Sequence, residues 1–306
     1  MFRLSGRAKG ALAMTASAFG FAAMGACVRL ADDFGAPVSS FQKSFFRNVV
    51  ALAISLFVFA RSVPAGGTGR GLRRYLPRLG RSGSWLLLAR SVIGTCGIFA
   101  NFYALSHVPI AEAQTLNKTA PFFTVAFAWM FLGEKACPRQ VLALLAAFAG
   151  VTLVAKPGFA GAAAFPLFIG LLGGACAGGA YACLRALRRR GVPPAFIVLF
   201  FSAFSCLASV PFIAADYTPM TVSQTLILFG AGVGAAVGQF GITAAYGFAA
   251  PREIAVYDYS SILFAGVLGF ALFGQVPDAL SFAGFALVVF AALRLSAASP
   301  GRDGSH

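Results

Sequence analysis

Long apolar runs separated by short polar breaks fill this chain almost from end to end. Ten runs stand out, at 10–30, 38–60, 84–106, 109–132, 138–155, 165–187, 192–214, 225–247, 251–273 and 279–296. About twenty apolar residues suffice for a helix to cross the hydrocarbon core of a bilayer. Inside that core an unpaired amide finds no water, so each run is expected to be helical. The pattern predicts an all-α membrane protein of ten transmembrane helices. Its longest polar break is the basic, glycine-rich stretch 62–82. The start of the chain imitates a secretory leader, with Arg3, Arg7 and Lys9 ahead of an apolar run. That run is longer than a leader core and nine more follow, so a retained first helix is expected.

The pattern also repeats. The stretch from Pro109 reads PIAEAQTLNKTAPFFTVAFAWMFLGEK, and a similar one, PREIAVYDYSSILFAGVLGFALFGQ, starts at Pro251. A constant offset of 141 sets Glu112 on Glu253, Asn117 on Asp258, Phe123 on Phe264 and Gly133 on Gly274. Earlier in each half, ACVRL at 26–30 matches ACLRA at 182–186 with an offset of 156, and the long break 62–82 absorbs the difference. Two five-helix units are expected, 1–157 and 158–299, followed by a short polar tail, 300–306. Five spans is an odd number, so the second unit must insert upside down, a recurrent plan among carriers. Glycines at every fourth position (Gly170, Gly174, Gly178 and Gly230, Gly234, Gly238) mark faces where helices can approach closely.

Composition agrees: 59% of residues are apolar and 11% charged, against about 25% charged in soluble domains. The net charge of +15 would suggest nucleic acid were it not for its distribution. Eighteen lysines and arginines fall on one side of the alternating spans, with the first break, 61–82, 135–139, 185–190, Arg252 and the last break. Only Arg29 and Lys156 fall on the other. That asymmetry places both termini in the cytoplasm. It is a topology signal, so no nucleic-acid partner is expected. The six cysteines form no CxxC pair and no metal-ligand spacing with His107 or His306, and read as reduced packing residues. No metal or other cofactor is expected. GAGVGA at 230–235 fits a dinucleotide pattern but lies inside a membrane helix. There is no GxxxxGK[ST] phosphate loop to supply ATP drive, and Asp32–Asp33 lacks the further acids of a metal-bound diphosphate site. An enzyme is therefore not expected. A membrane-embedded transferase and a scaffold or receptor are the competing readings, but no break is long enough for a folded soluble module.

With FFRNVVA from Phe45, the ARSVIG run around Arg90, ALSHVPIAEAQTLNKTAPFFTVAFAWMFLGEK ending at Lys135, and YDYSSILFAGVLGFALFGQVPD from Tyr257, the chain resembles the drug/metabolite transporter superfamily in its EamA branch. The resemblance covers nearly the whole chain. It implies ten helices in two inverted halves around a central cavity, moving small organic solutes across the plasma (bacterial inner) membrane without ATP. Members of the family often carry an acidic residue after the glycine closing both the fourth and the ninth helix. Here Glu134 is present, but the second position is Gln275.

Six ionisable residues lie within the spans: Lys43, Arg47, Arg90, Glu112, Lys118 and Asp258. A charge at mid-bilayer costs about 2.5–3.5 kcal/mol on insertion scales, so each is expected to face the bundle interior. Helical spacing sets Gln114, Asn117, Lys118 and Pro121 on one face, Arg90, Gly94, Gly97 and Asn101 on another, and Gln239, Thr243 and Tyr246 on a third. Lys118 and Arg90 are the expected seats of an anionic group, with Asn117, Asn101, Gln114, Gln239 and Tyr257 as neutral substrate contacts. Asp258 or Glu112 is the candidate for proton exchange. Arg47, Lys43 and Glu134 are read as structural charges. Partners are then a small amino acid-like or carboxylate-bearing solute and the lipid bilayer, with a homodimer left open.

Overall fold

The computed structural model describes residues 5–62, 68–107, 115–155, 164–274 and 276–297. They form helices α1 (Gly6–Asp32), α2 (Ser40–Ser62), α3 (Thr68–His107), α4 (Ala120–Leu132), α5 (Pro138–Ala155), α6 (Ala164–Arg189), α7 (Pro194–Ala215), α8 (Val222–Phe248), α9 (Pro251–Ile254), α10 (Ser260–Phe273) and α11 (Ala279–Ala297). A 3-10 turn, Ala255–Tyr259, joins α9 to α10, and together they make one apolar span, Pro251–Phe273. No strand occurs among the described residues. Among the described residues, seven stretches are long and apolar enough to cross a membrane: Gly6–Asp32, Ser40–Arg61, Gly80–Asn101, Ala164–Arg189, Pro194–Ala215, Val222–Phe248 and Pro251–Phe273. Shorter apolar helices occupy Pro138–Val154 and Ala279–Arg294. The described residues are all-helical, with the several apolar spans of a multi-pass membrane protein.

Helix boundaries follow local chemistry. Ser5 caps α1 by accepting from the Ala8 N–H (3.2 Å). Thr221 and Gln224 form a capping box on α8, and the Gln224 amide also donates to the Ala36 carbonyl (2.9 Å), tying this cap to the turn after α1. Both α4 and α10 end at a glycine in the left-handed region, Gly133 (φ 68) and Gly274 (φ 63), which a side chain would disfavour. One expectation changes. Within the break 62–82, residues 68–79 form a helix of their own, which meets the membrane helix at a kink on Gly80 (φ 58, ψ 178).

The main neighbours lie across the midpoint of the chain. Helix α1 packs on α8, α3 on α6, α2 on α7 and α5 on α11, while α4 leans on α6 and α10 on α1. Exchanging α1 with α6, α3 with α8 and α4 with α10 turns these contacts into one another. The crossings are close because glycines line them. A Cβ on Gly20 would stand 2.6 Å from the Gly238 nitrogen and 2.7 Å from the Gly234 carbonyl of α8. Gly97 of α3 and Gly173 of α6 face each other in the same way, as do Gly150 of α5 and Gly284 of α11. Lipid tails are as apolar as leucine, so such backbone-to-backbone fit takes over what the hydrophobic effect does in water. Large apolar side chains such as Phe131, Leu142, Leu207 and Val267 point outward instead.

Polar contacts collect at the two ends. At one, Arg190 donates to Ser82 (3.2 Å), Arg252 to the Lys135 carbonyl (3.0 Å) and Arg185 to Glu134 (2.9 Å). At the other, Lys43 pairs with Asp32 (2.7 Å), and Gln42 exchanges two hydrogen bonds with the Thr218 backbone. The breaks that the alternation assigns to one side thus meet at one end of the bundle. Gly20→Ala is expected to cost about 1–3 kcal/mol by overpacking the α1–α8 crossing, seen as a lower unfolding midpoint in detergent. Gly25→Ala, where a Cβ meets nothing within 4 Å, should leave that midpoint unchanged.

Candidate functional site

Two helix interruptions meet inside the bundle. Before α4 the helical path turns at Lys118 and Thr119, and Pro121, at the start of α4, has no N–H to give back to Asn117. The Thr119 hydroxyl donates to the Leu116 carbonyl. In the second half, 141 residues on, the Ser260 hydroxyl donates to the Tyr257 carbonyl (2.7 Å) beside the 3-10 turn. The two breaks are linked directly. Lys118 Nζ lies 3.4 Å from Asp258 Oδ2, and the Tyr259 hydroxyl donates to the Lys118 carbonyl (3.1 Å). The paired side chains keep 17% and 15% exposure, so each is largely desolvated and relies on the other.

A second polar group lies between α2, α3, α6, α7 and α8. Arg90, 2% exposed, donates from Nη2 to Gln239 Oε1 (3.2 Å) and lies 3.9 Å over the Phe201 ring. Gly94 makes room for it, since a Cβ there would stand 2.6 Å from Arg90 Nη1. Arg47, half-buried on α2, sits 5.8 Å from the Phe21 ring. Its neighbour Asn48 donates to Ser205 on α7 (3.0 Å). Tyr181 of α6 is half-buried, within electrostatic range of Asp258, Arg90 and Arg47. Tyr246 packs against it, ring centroids 5.9 Å apart. The α8 stripe is fully interior, with Gln239, Thr243 and Tyr246 all buried.

The remaining candidates divide by position. Asn117 is half-buried at the α4 break and Asn101 half-buried on α3 near Gly173. Tyr257 is half-buried and directs its hydroxyl toward the Ala292 carbonyl of α11 (3.5 Å). Lys43 stands apart from the interior group, in its ion pair with Asp32 at the bundle end. Glu134 is held at the opposite end by Arg185 (2.9 Å) and Arg189 (3.6 Å). Gln114, Glu112 and Gln275 lie outside the described residues. Phe201, Ser205 and Arg185 join these networks without having been singled out; Tyr181 and Tyr259, two of several tyrosines able to line a cavity or anchor at the interface, join them as well. Tyr259 carried a usable signal, because it is the offset-141 counterpart of Lys118 itself.

Residues 8–156 match the EamA-like transporter family. The chain is 31% identical over 294 residues to the pseudopaline exporter CntI of Pseudomonas aeruginosa (strain UCBPP-PA14), covering 95% of this chain and 97% of the relative. It is 29% identical over 227 residues to a riboflavin transporter of Rhizobium johnstonii (strain DSM 114642 / LMG 32736 / 3841), covering 72% of this chain and 74% of the relative. A solved crystal structure, 21% identical, shares the fold with a TM-score of 0.72 over 92% of this chain and 97% of its own.

Removing either partner of the Lys118–Asp258 pair leaves a poorly solvated charge. Lys118→Met and Asp258→Asn are each expected to lower stability by about 1.5–3 kcal/mol. The double variant should recover part of that loss, which a double-mutant cycle on unfolding in detergent measures.

Proposed function

Because the chain belongs to the EamA-like transporter family, we propose that it is a secondary carrier that moves a small carboxylate-bearing or amino acid-like metabolite by alternating access. The protein is a multi-pass membrane transporter of a small metabolite. The finer reading rests on one observation. Among the described residues the bundle interior carries Lys118, Arg47 and Arg90 against a single acid, Asp258, which is occupied by Lys118. An interior with surplus cations in a low dielectric attracts a solute that brings negative charge. Lys118, Arg90, Asn117, Asn101, Gln114, Gln239 and Tyr257 are the proposed solute contacts. Asp258 or Glu112 is the proposed group for proton coupling, with solute exchange as the other drive.

The proposed machinery is two inverted five-helix repeats, 1–157 and 158–299, with ten spans and both termini in the cytoplasm of a plasma-membrane protein. The interchange of helix contacts between the halves supports this arrangement. So do the paired breaks and the paired left-handed glycine caps at offset 141. Interrupted helices at mid-membrane free backbone and side-chain groups for a ligand while the halves rock about them.

Two measurements check this reading. Purified protein in liposomes should take up or exchange carboxylate-bearing solutes when screened across amino acids, nucleosides and organic acids, and faster with an imposed pH gradient if protons drive it. Transport confined to neutral or cationic solutes would overturn the anionic assignment. Accessibility labels at residues 70 and 190 should both report the cytoplasmic side, and opposite sides would overturn the inverted repeat.

A further inference from the structure

Buried donors without partners gather around one pair of side chains. Arg90 Nε and Arg47 Nε are both buried and hydrogen-bonded to nothing. So is the Ser202 hydroxyl, which stands next to Phe201, the ring on which Arg90 lies. A guanidinium offers five N–H donors, and Arg90 gives one to Gln239. The two arginines repel each other electrostatically. Among the described residues, Asp258 is engaged with Lys118, Asp32 with Lys43, and Glu134 with Arg185. The surroundings are shaped around the charge. Phe201 supports one face of the Arg90 guanidinium, and Gly94 supplies the space it fills. Asn48 and Arg90 both contact α7, at Ser205 and Phe201, one helical turn apart.

We propose that Arg47 and Arg90 form a seat for a forked oxyanion, a carboxylate or phosphate group of the solute, separate from the Lys118–Asp258 pair. This rests on the carrier reading above for the identity of its occupant, and it moves Arg47 from a structural charge to a binding residue. The planar guanidinium matches the two oxygens of such a group in a way that a lysine or a spherical anion does not. Tyr181 lies within electrostatic range of both arginines and of Asp258, so one solute can meet both sites at once. Its oxyanion lies against Arg47 and Arg90, and a second polar group reaches the Lys118–Asp258 pair at the helix breaks.

The seat makes a prediction opposite in sign to that for a structural ion pair. An arginine buried without a counter-charge destabilises the ligand-free protein, so replacing it with an apolar side chain of similar length relieves strain. Full-length protein in detergent, at fixed ionic strength, is melted with glutarate, inorganic phosphate or chloride. Glutarate or phosphate should raise the midpoint of the wild type, and chloride should raise it less. In Arg47→Met and Arg90→Met the ligand-free midpoint should equal or exceed that of the wild type, and the oxyanion shift should vanish. Arg47→Lys and Arg90→Lys, which keep the charge, should weaken glutarate or phosphate binding by about tenfold or more.

A midpoint that falls in both methionine variants as far as in Lys118→Met, with the oxyanion shift retained, overturns the seat. So does a chloride shift equal to that of glutarate. If the liposomes transport a carboxylate solute while the arginine variants bind oxyanions normally, the seat fails and the carrier reading stands. If oxyanions bind through the arginines but no solute crosses, the seat stands and the carrier reading fails.

Discussion

Hydrocarbon offers a broken helix no water, so every interruption of a membrane span must find its partners inside the protein. In this bundle the two interruptions find each other. The Lys118 carbonyl accepts the Tyr259 hydroxyl, and the Lys118 ammonium meets the Asp258 carboxylate. Each break would be unfavourable alone, and each supplies what the other lacks. The residues between Leu116 and Pro121 can therefore depart from helical geometry at mid-span, as can those between Ala255 and Ser260.

The close helix crossings serve the same end. Gly20 against Gly234 and Gly238, Gly97 against Gly173, and Gly150 against Gly284 bring backbones together from opposite halves of the chain. Such contacts hold a bundle without burying much apolar area. Polar networks at the bundle ends act differently. Glu134 with Arg185 and Arg189, Lys43 with Asp32, and Gln42 with the Thr218 backbone tie loops together at a distance from the breaks. A carrier that opens to one face at a time would have to loosen one of these ends while keeping the other.

The charges split along the same lines. Lys43 and Glu134 are held by partners at the bundle ends. Arg47 has a different setting, since its Nε has no acceptor and its guanidinium sits 5.8 Å from the Phe21 ring. Counting charges along helices does not separate these cases, because a structural and a binding arginine occupy the same kind of apolar span.

Much was legible from the amino acids alone. Apolar run length specifies a helical membrane protein because the bilayer imposes one thickness on every span. The offset of 141 aligned Asn117 with Asp258 and Gly133 with Gly274, and both glycines do end helices in the same left-handed conformation. The pairing of Lys118 with Asp258, of Arg90 with Gln239 and of Asn48 with Ser205 was decided by tertiary structure. So was the 3-10 turn at Ala255–Tyr259 within the run 251–273. Helical periodicity reveals which face of a helix is polar, and nothing about which helix that face meets. These partners lie 140, 149 and 157 residues apart. They come together through the fit of glycine-lined surfaces, a property of shape in three dimensions that no linear pattern carries.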